Sequence, residues 1–90
     1  MAGNLYFVTA LSEPAKVRER VHAVIPADDR YELSGDKWMV VYEGTGLDLA
    51  ERAGIRSGED RVGTGLVLPV TTYSGRAPTT FWDWLKGKGG

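Results

Sequence analysis

Hydrophobic and polar positions along the chain change period several times, and each change marks an element. Leu5-Tyr6-Phe7-Val8-Thr9-Ala10-Leu11 is nearly unbroken in apolar and β-prone side chains. Such a run suits an interior strand rather than one washed by solvent. Ser12-Glu13-Pro14 then reads as a helix start: Ser12 can accept from first-turn amides, and proline is tolerated where its missing N–H is not needed. Ala15, Val17, Val21, Val24 and Ile25 follow along one helical stripe, with Arg18, Glu19 and Arg20 elsewhere. That is an amphipathic helix packed on a sheet, stopped by Pro26 with Asp28-Asp29.

Two strand-like runs come next, Arg30 to Leu33 and Lys37 to Tyr42, joined by Ser34-Gly35-Asp36. A short glycine-containing connection between strand formers predicts a β-hairpin. Thr45-Gly46-Leu47-Asp48 opens a second, shorter helix with a capping-box spacing. Leu49, Ala50 and Ala53 of that helix face the sheet, and Gly54-Ile55 stops it. Arg56 to Arg61 is a polar loop, and Leu66 to Tyr73 is the last strand. Pro69 within it confines the strand to a sheet edge or a bulge, because proline cannot donate to a ladder. Ser74-Gly75-Arg76 forms a turn, and Pro78 begins a terminal helix carrying Phe81, Trp82 and Trp84. Three aromatics in four residues cannot all face inward on a helix this short; some pack under the strand edge or against a partner.

The order β-α-β-β-α-β is the split βαβ arrangement, with the first and third strands central and the fourth at an edge. The expected fold class is therefore α+β, a ferredoxin-like βαββαβ sandwich. It has a four-stranded antiparallel sheet, two helices on one face and a short C-terminal helix. Ninety residues make one domain, placed at 1–86 with a frayed tail at 87–90.

Charge and composition exclude more than they assign. Eleven basic and twelve acidic side chains give a net charge of −1, so no long-range field favours nucleic acid, a membrane or an acidic substrate. The chain has no cysteine, which removes disulfides, thiolate zinc sites and a cysteine nucleophile. No segment reads as a signal peptide or reaches the roughly 20 apolar residues of a membrane helix. The expectation is a cytoplasmic protein that does not engage membranes.

Candidate chemistry is sparse. His22 is the single histidine, and no Ser/Asp arrangement supports it as a base. Asp28-Asp29 could hold a divalent cation only with a further carboxylate, and a helix stop explains the pair. Gly44-Thr45-Gly46 and Gly63-Thr64-Gly65 lack the lysine and the glycine spacing of phosphate-binding loops. Tyr73-Ser74-Gly75-Arg76 combines an aromatic, a hydroxyl, a flexible glycine and a fixed cation, able to clamp a phosphate or stack a base. The competing reading is a turn in which Arg76 pairs with Asp83 and Tyr73 covers the core. The candidate binding residues are thus Tyr73, Ser74, Arg76, Trp82 and Trp84. No catalytic residue, metal site or cofactor is expected.

Tyr6-Phe7-Val8 in the first strand, Asp36-Lys37-Trp38-Met39-Val40 in the hairpin, Asp48-Leu49-Ala50-Glu51 in the second helix and Trp84-Leu85-Lys86 at the end carry a family likeness. In these stretches the chain resembles the small SinR-like proteins, related to the VapD toxins and to the smaller subunit of the CRISPR spacer integrase. The resemblance implies a ferredoxin-like fold and a homodimer built on the sheets or their edges. Nuclease-type relatives close the first strand with a metal-holding aspartate. Here that place reads Thr9-Ala10-Leu11-Ser12, with no carboxylate until Glu13, so the catalytic implication does not carry over. The expected function is a small non-enzymatic interaction or regulatory module, homodimeric through its sheet, its edge strand and the aromatic tail, with room for a protein partner. The alternative is a nucleic-acid-binding protein derived from a nuclease family, using Lys37 and Arg76, which near-neutral charge disfavours.

Overall fold

The computed structural model of the chain describes residues 3–56, 61–72 and 74–88. Strand β1 (Asn4–Ala10) leads to helix α1 (Pro14–Val24) and a 3-10 turn at Ala27–Asp29. The hairpin β2 (Arg30–Ser34) and β3 (Lys37–Tyr42) follows, then α2 (Gly46–Arg52), β4 (Gly65–Pro69) and α3 (Thr79–Gly87). The protein is α+β with one four-stranded sheet in the order β2-β3-β1-β4, and every neighbouring pair is antiparallel. β1 and β3 are interior, and β2 and β4 form the edges.

Both faces of β1 are covered, which is why its sequence is apolar almost throughout. Tyr6, Val8 and Ala10 point to one side, where they join Trp38 and Val40 of β3, Val17 and Val21 of α1, and Leu49 of α2. This is the main core, and burying each of its valine and leucine side chains contributes about 1.5–3 kcal/mol. Leu5 and Phe7 point to the other side, toward Met39, Phe81 and Leu85, with Tyr31 and Leu33 from β2. The aromatic terminal helix thus packs on the sheet face opposite α1 and α2.

Three local expectations are corrected. Ser12 does not cap α1; the cap position belongs to Glu13, in the left-handed region at φ 50° and without a side-chain cap. Ser12 Oγ instead accepts from the Thr64 amide at 2.9 Å and lies 2.9 Å from Thr64 Oγ1. The hydroxyl has a distant partner that tethers the approach to β4, and a helix cap cannot compete for the same oxygen. A Cβ at Gly63 would stand 2.7 Å from the Ser12 carbonyl oxygen, so glycine is required for that approach. Second, β4 ends at Pro69 rather than continuing to Tyr73, a position outside the described residues. Third, α3 extends through Gly87, and Lys88 Nζ reaches Asp29 Oδ1 at 3.0 Å. The expected polar loop at 56–61 lies largely outside the described residues.

Other expectations stand in atomic detail. Thr45 Oγ1 accepts from the Asp48 amide at 3.1 Å, the first half of a capping box. The Asp48 carboxylate takes the Tyr42 hydroxyl and Arg52 instead of completing that box. Gly54 ends the α2 segment at φ 77°. The β4 ladder also explains its proline. Val70 N–H donates to Leu5 O and Leu11 N–H to Thr64 O. By the alternation of antiparallel pairs, even-numbered residues of β4 aim their backbone groups at β1, and Gly65, Val67 and Pro69 aim theirs outward. Pro69, opposite Tyr6, therefore removes only an outward donor and leaves the ladder intact.

Candidate functional site

The second face of the sheet is divided unequally. Helix α3 contacts β2 and packs over Met39 of β3 and Leu5 and Phe7 of β1, while the described residues place no helix over this face of β4. Leu66 and Leu68 sit opposite Thr9 and Phe7 in the ladder, and residues directly opposite share a face. They stand on this open part, 49% and 47% exposed. On the same face, beside α3, lies a cleft of about 310 Å³. Phe7 and Met39 of the sheet and Phe81 and Trp82 of the helix wall it, and Ser74 and Arg76 line it from the connecting segment. Phe7 belongs both to the cleft and to the pair with Leu68, so the two features form one continuous surface.

The sequence candidates separate on this geometry. Ser74, Arg76 and Trp82 meet in the cleft. Trp84 does not: its Nε1–H donates to the Asp28 carbonyl oxygen at 3.0 Å, and its ring lies 5.9 Å from Tyr31 and 6.2 Å from Phe81. With the Tyr31–Phe81 edge contact at 5.2 Å, these rings fasten α3 to the hairpin, each such pair adding about 0.5–1.5 kcal/mol beyond burial. Trp84 is a clamp within the fold. Tyr73 lies outside the described residues. Arg76 does not pair with Asp83; it is exposed and makes no hydrogen bond or ion pair among the described residues. Leu66, Leu68 and the cleft walls Phe7 and Met39 escaped the sequence reading. The signal for the leucines was Leu66-Val67-Leu68, an apolar run without alternation on a strand that its proline had already placed at an edge.

The other polar constellations are structural. Glu32 Oε1 receives Arg18 Nε at 2.9 Å and the Nε1–H of fully buried Trp38 at 3.2 Å. The Arg18 hydrogen bond, with help from Trp38, holds this carboxyl below its ordinary range against a smaller opposing effect of burial. His22 Nε2 lies 4.0 Å from the same carboxylate, yet burial and the positive charges of Arg30 and Arg18 outweigh that attraction and lower its pKa. Neutral at pH 7, it is a boundary residue. The Asp48 hydrogen bond raises the Tyr42 phenol above its ordinary value. Among the described residues, no three or more His, Asp or Glu side chains gather as a metal-holding group, and no helix is long and apolar enough to cross a membrane.

Comparison with protein-family models, with curated proteins and with solved structures finds no match to this chain.

Proposed function

We propose that the protein is a non-enzymatic interaction module that forms a homodimer by pairing β4 with β4 of a second copy. The exposed leucines on the open edge strand carry this reading. Pairing two β4 strands antiparallel about Val67 sets Leu66 of each chain opposite Leu68 of the other, on the same uncovered face. The patch is thereby self-complementary, as a two-fold interface requires. Val67 N–H would meet the opposite Val67 carbonyl, and Gly65 N–H the opposite Pro69 carbonyl. An unpaired edge with flanking apolar side chains is otherwise a liability, and a second copy satisfies both the backbone groups and the leucines.

The same proposal includes a ferredoxin-like architecture and kinship with the SinR-like and VapD-like proteins, because the split βαβ element order and the two interior strands agree with both. The aromatic helix has a smaller part in the contact than its composition implied, since Phe81 and Trp84 are engaged inside the chain.

Size-exclusion chromatography with light scattering tests the reading. The expected result is a dimer that Leu66→Ser with Leu68→Ser converts to a folded monomer, both side chains being about half exposed. A monomeric wild type, or a dimer indifferent to the double substitution, overturns it. A mass increase with a mixed oligonucleotide pool that fades steeply with salt would instead favour the nucleic-acid-binding alternative.

A further inference from the structure

The cleft beside α3 combines an apolar interior with one fixed charge at its rim. Its volume of about 310 Å³ is about twice the ~150 Å³ of an engineered apolar cavity that takes up benzene, enough for a two-ring body. Phe7, Met39, Phe81 and Trp82 offer that body aromatic and thioether surface. Arg76 is the single charged residue among the described lining, and the Ser74 hydroxyl stands on the same segment. Gly75 between them adopts φ 140°, a backbone conformation that residues with a Cβ rarely take, so the turn presenting Ser74 and Arg76 is specific to glycine. Arg76 lacks an internal partner among the described residues, and its planar fork matches a carboxylate. A doubly charged phosphate would face one cation over an apolar floor, a poor exchange for its hydration. A neutral ligand would make no use of Arg76.

From this arrangement we infer that the cleft is a binding site for a small amphipathic carboxylate, a flat apolar body seated against Trp82 and Phe81 with its carboxylate on Arg76 and Ser74. The inference goes beyond self-association and does not rest on it, because the lining residues come from one chain.

The probe is 1-naphthoate, with 1-naphthalenemethanol as its neutral counterpart, titrated into the full chain by calorimetry and by amide and indole NMR. The expected result is saturable binding of naphthoate at one site per chain, with Kd of about 1 mM or tighter. It should shift the amides of residues 74–77 and the indole N–H of Trp82. Arg76→Gln, an exposed-rim change that leaves the packing alone, should weaken naphthoate roughly three- to ten-fold and leave the alcohol unaffected. Three results would each overturn the proposal: no saturable naphthoate binding, equal affinity in Arg76→Gln, or shifts confined to Leu66 and Leu68. Binding is read separately from mass, so failure of the dimer and failure of the cleft site are distinguishable.

Discussion

Leu85→Ala probes whether α3 is built into the fold, on which both the covered part of the second face and the cleft depend. Leu85 is 2% exposed and shares its cluster with buried Met39 and Phe81. Truncating a buried leucine costs about 2–5 kcal/mol, more where the surroundings cannot collapse. This cluster is small, lies near the C-terminus and borders an open cleft, so relaxation and water can reach the vacated space; the expected loss is about 2–3 kcal/mol. A domain of this length has roughly 5–13 kcal/mol in total, and each kcal/mol lowers Tm by about 4–8 °C. Urea unfolding followed by tryptophan fluorescence and by far-UV circular dichroism measures the change, with Lys86→Ala, an exposed neighbour on the same helix, expected within about 0.5 kcal/mol of wild type. A Leu85→Ala midpoint that coincides with wild type would refute the packing of α3 on the sheet. Fluorescence and dichroism transitions that separate in the wild type would refute its cooperative attachment.

Three further outcomes rest on contacts elsewhere in the fold. Glu32→Ala removes the acceptor of the buried Trp38 indole N–H and should cost about 1–2 kcal/mol in urea unfolding, while Glu32→Gln, which keeps an acceptor there, should cost less. Because the folded-state pKa of Glu32 is depressed, its contribution is present above the unfolded carboxyl value of about 4.3 and is lost as pH falls through the lower folded value. The depressed His22 pKa acts in the same direction, with stability lost as pH falls below about 6.5. Stability measured from pH 7 down to pH 3 should therefore decline, and Glu32→Gln should flatten the acidic part of that decline. Gly65→Ala places a Cβ 2.4 Å from the Thr9 carbonyl oxygen and 3.1 Å from Ile55 Cδ1; the β1–β4 ladder must shift. Loss of amide protection along β4 with β2–β3 retained is the expected hydrogen-exchange pattern.

The main core was legible because its signals are local: the α1 stripe of Val17 and Val21, the run of strand formers from Lys37 to Tyr42 that carries Trp38 and Val40, and Leu49 with Ala53 on α2. Pro69 marked the edge strand through a chemical impossibility, the missing donor, which no tertiary context can repair. The unbroken apolar run of β1 showed that both of its faces are covered but not by which elements, so the place of α3 was illegible. Ser12 misled because an N-cap and a long-range tether use the same hydroxyl, and only the fold brings Thr64 within reach. At the candidate site, Ser74, Arg76 and Trp82 were visible as a local cluster of useful chemistry. Phe7 and Met39 join them only across the sheet, and Trp84 leaves the group because the Asp28 carbonyl oxygen, 56 residues away, claims its indole.

Hydrogen exchange at the Val67 amide, followed over a wide range of protein concentration, tests the proposed dimer most directly. Its N–H points away from β1 and has no backbone acceptor among the described residues, so pairing with a second strand would protect it. A β4–β4 dimer gives protection that rises with concentration, for Val67 and Gly65 together. Exchange at Val67 that stays fast at every concentration, while the β1–β3 amides remain protected, would contradict it.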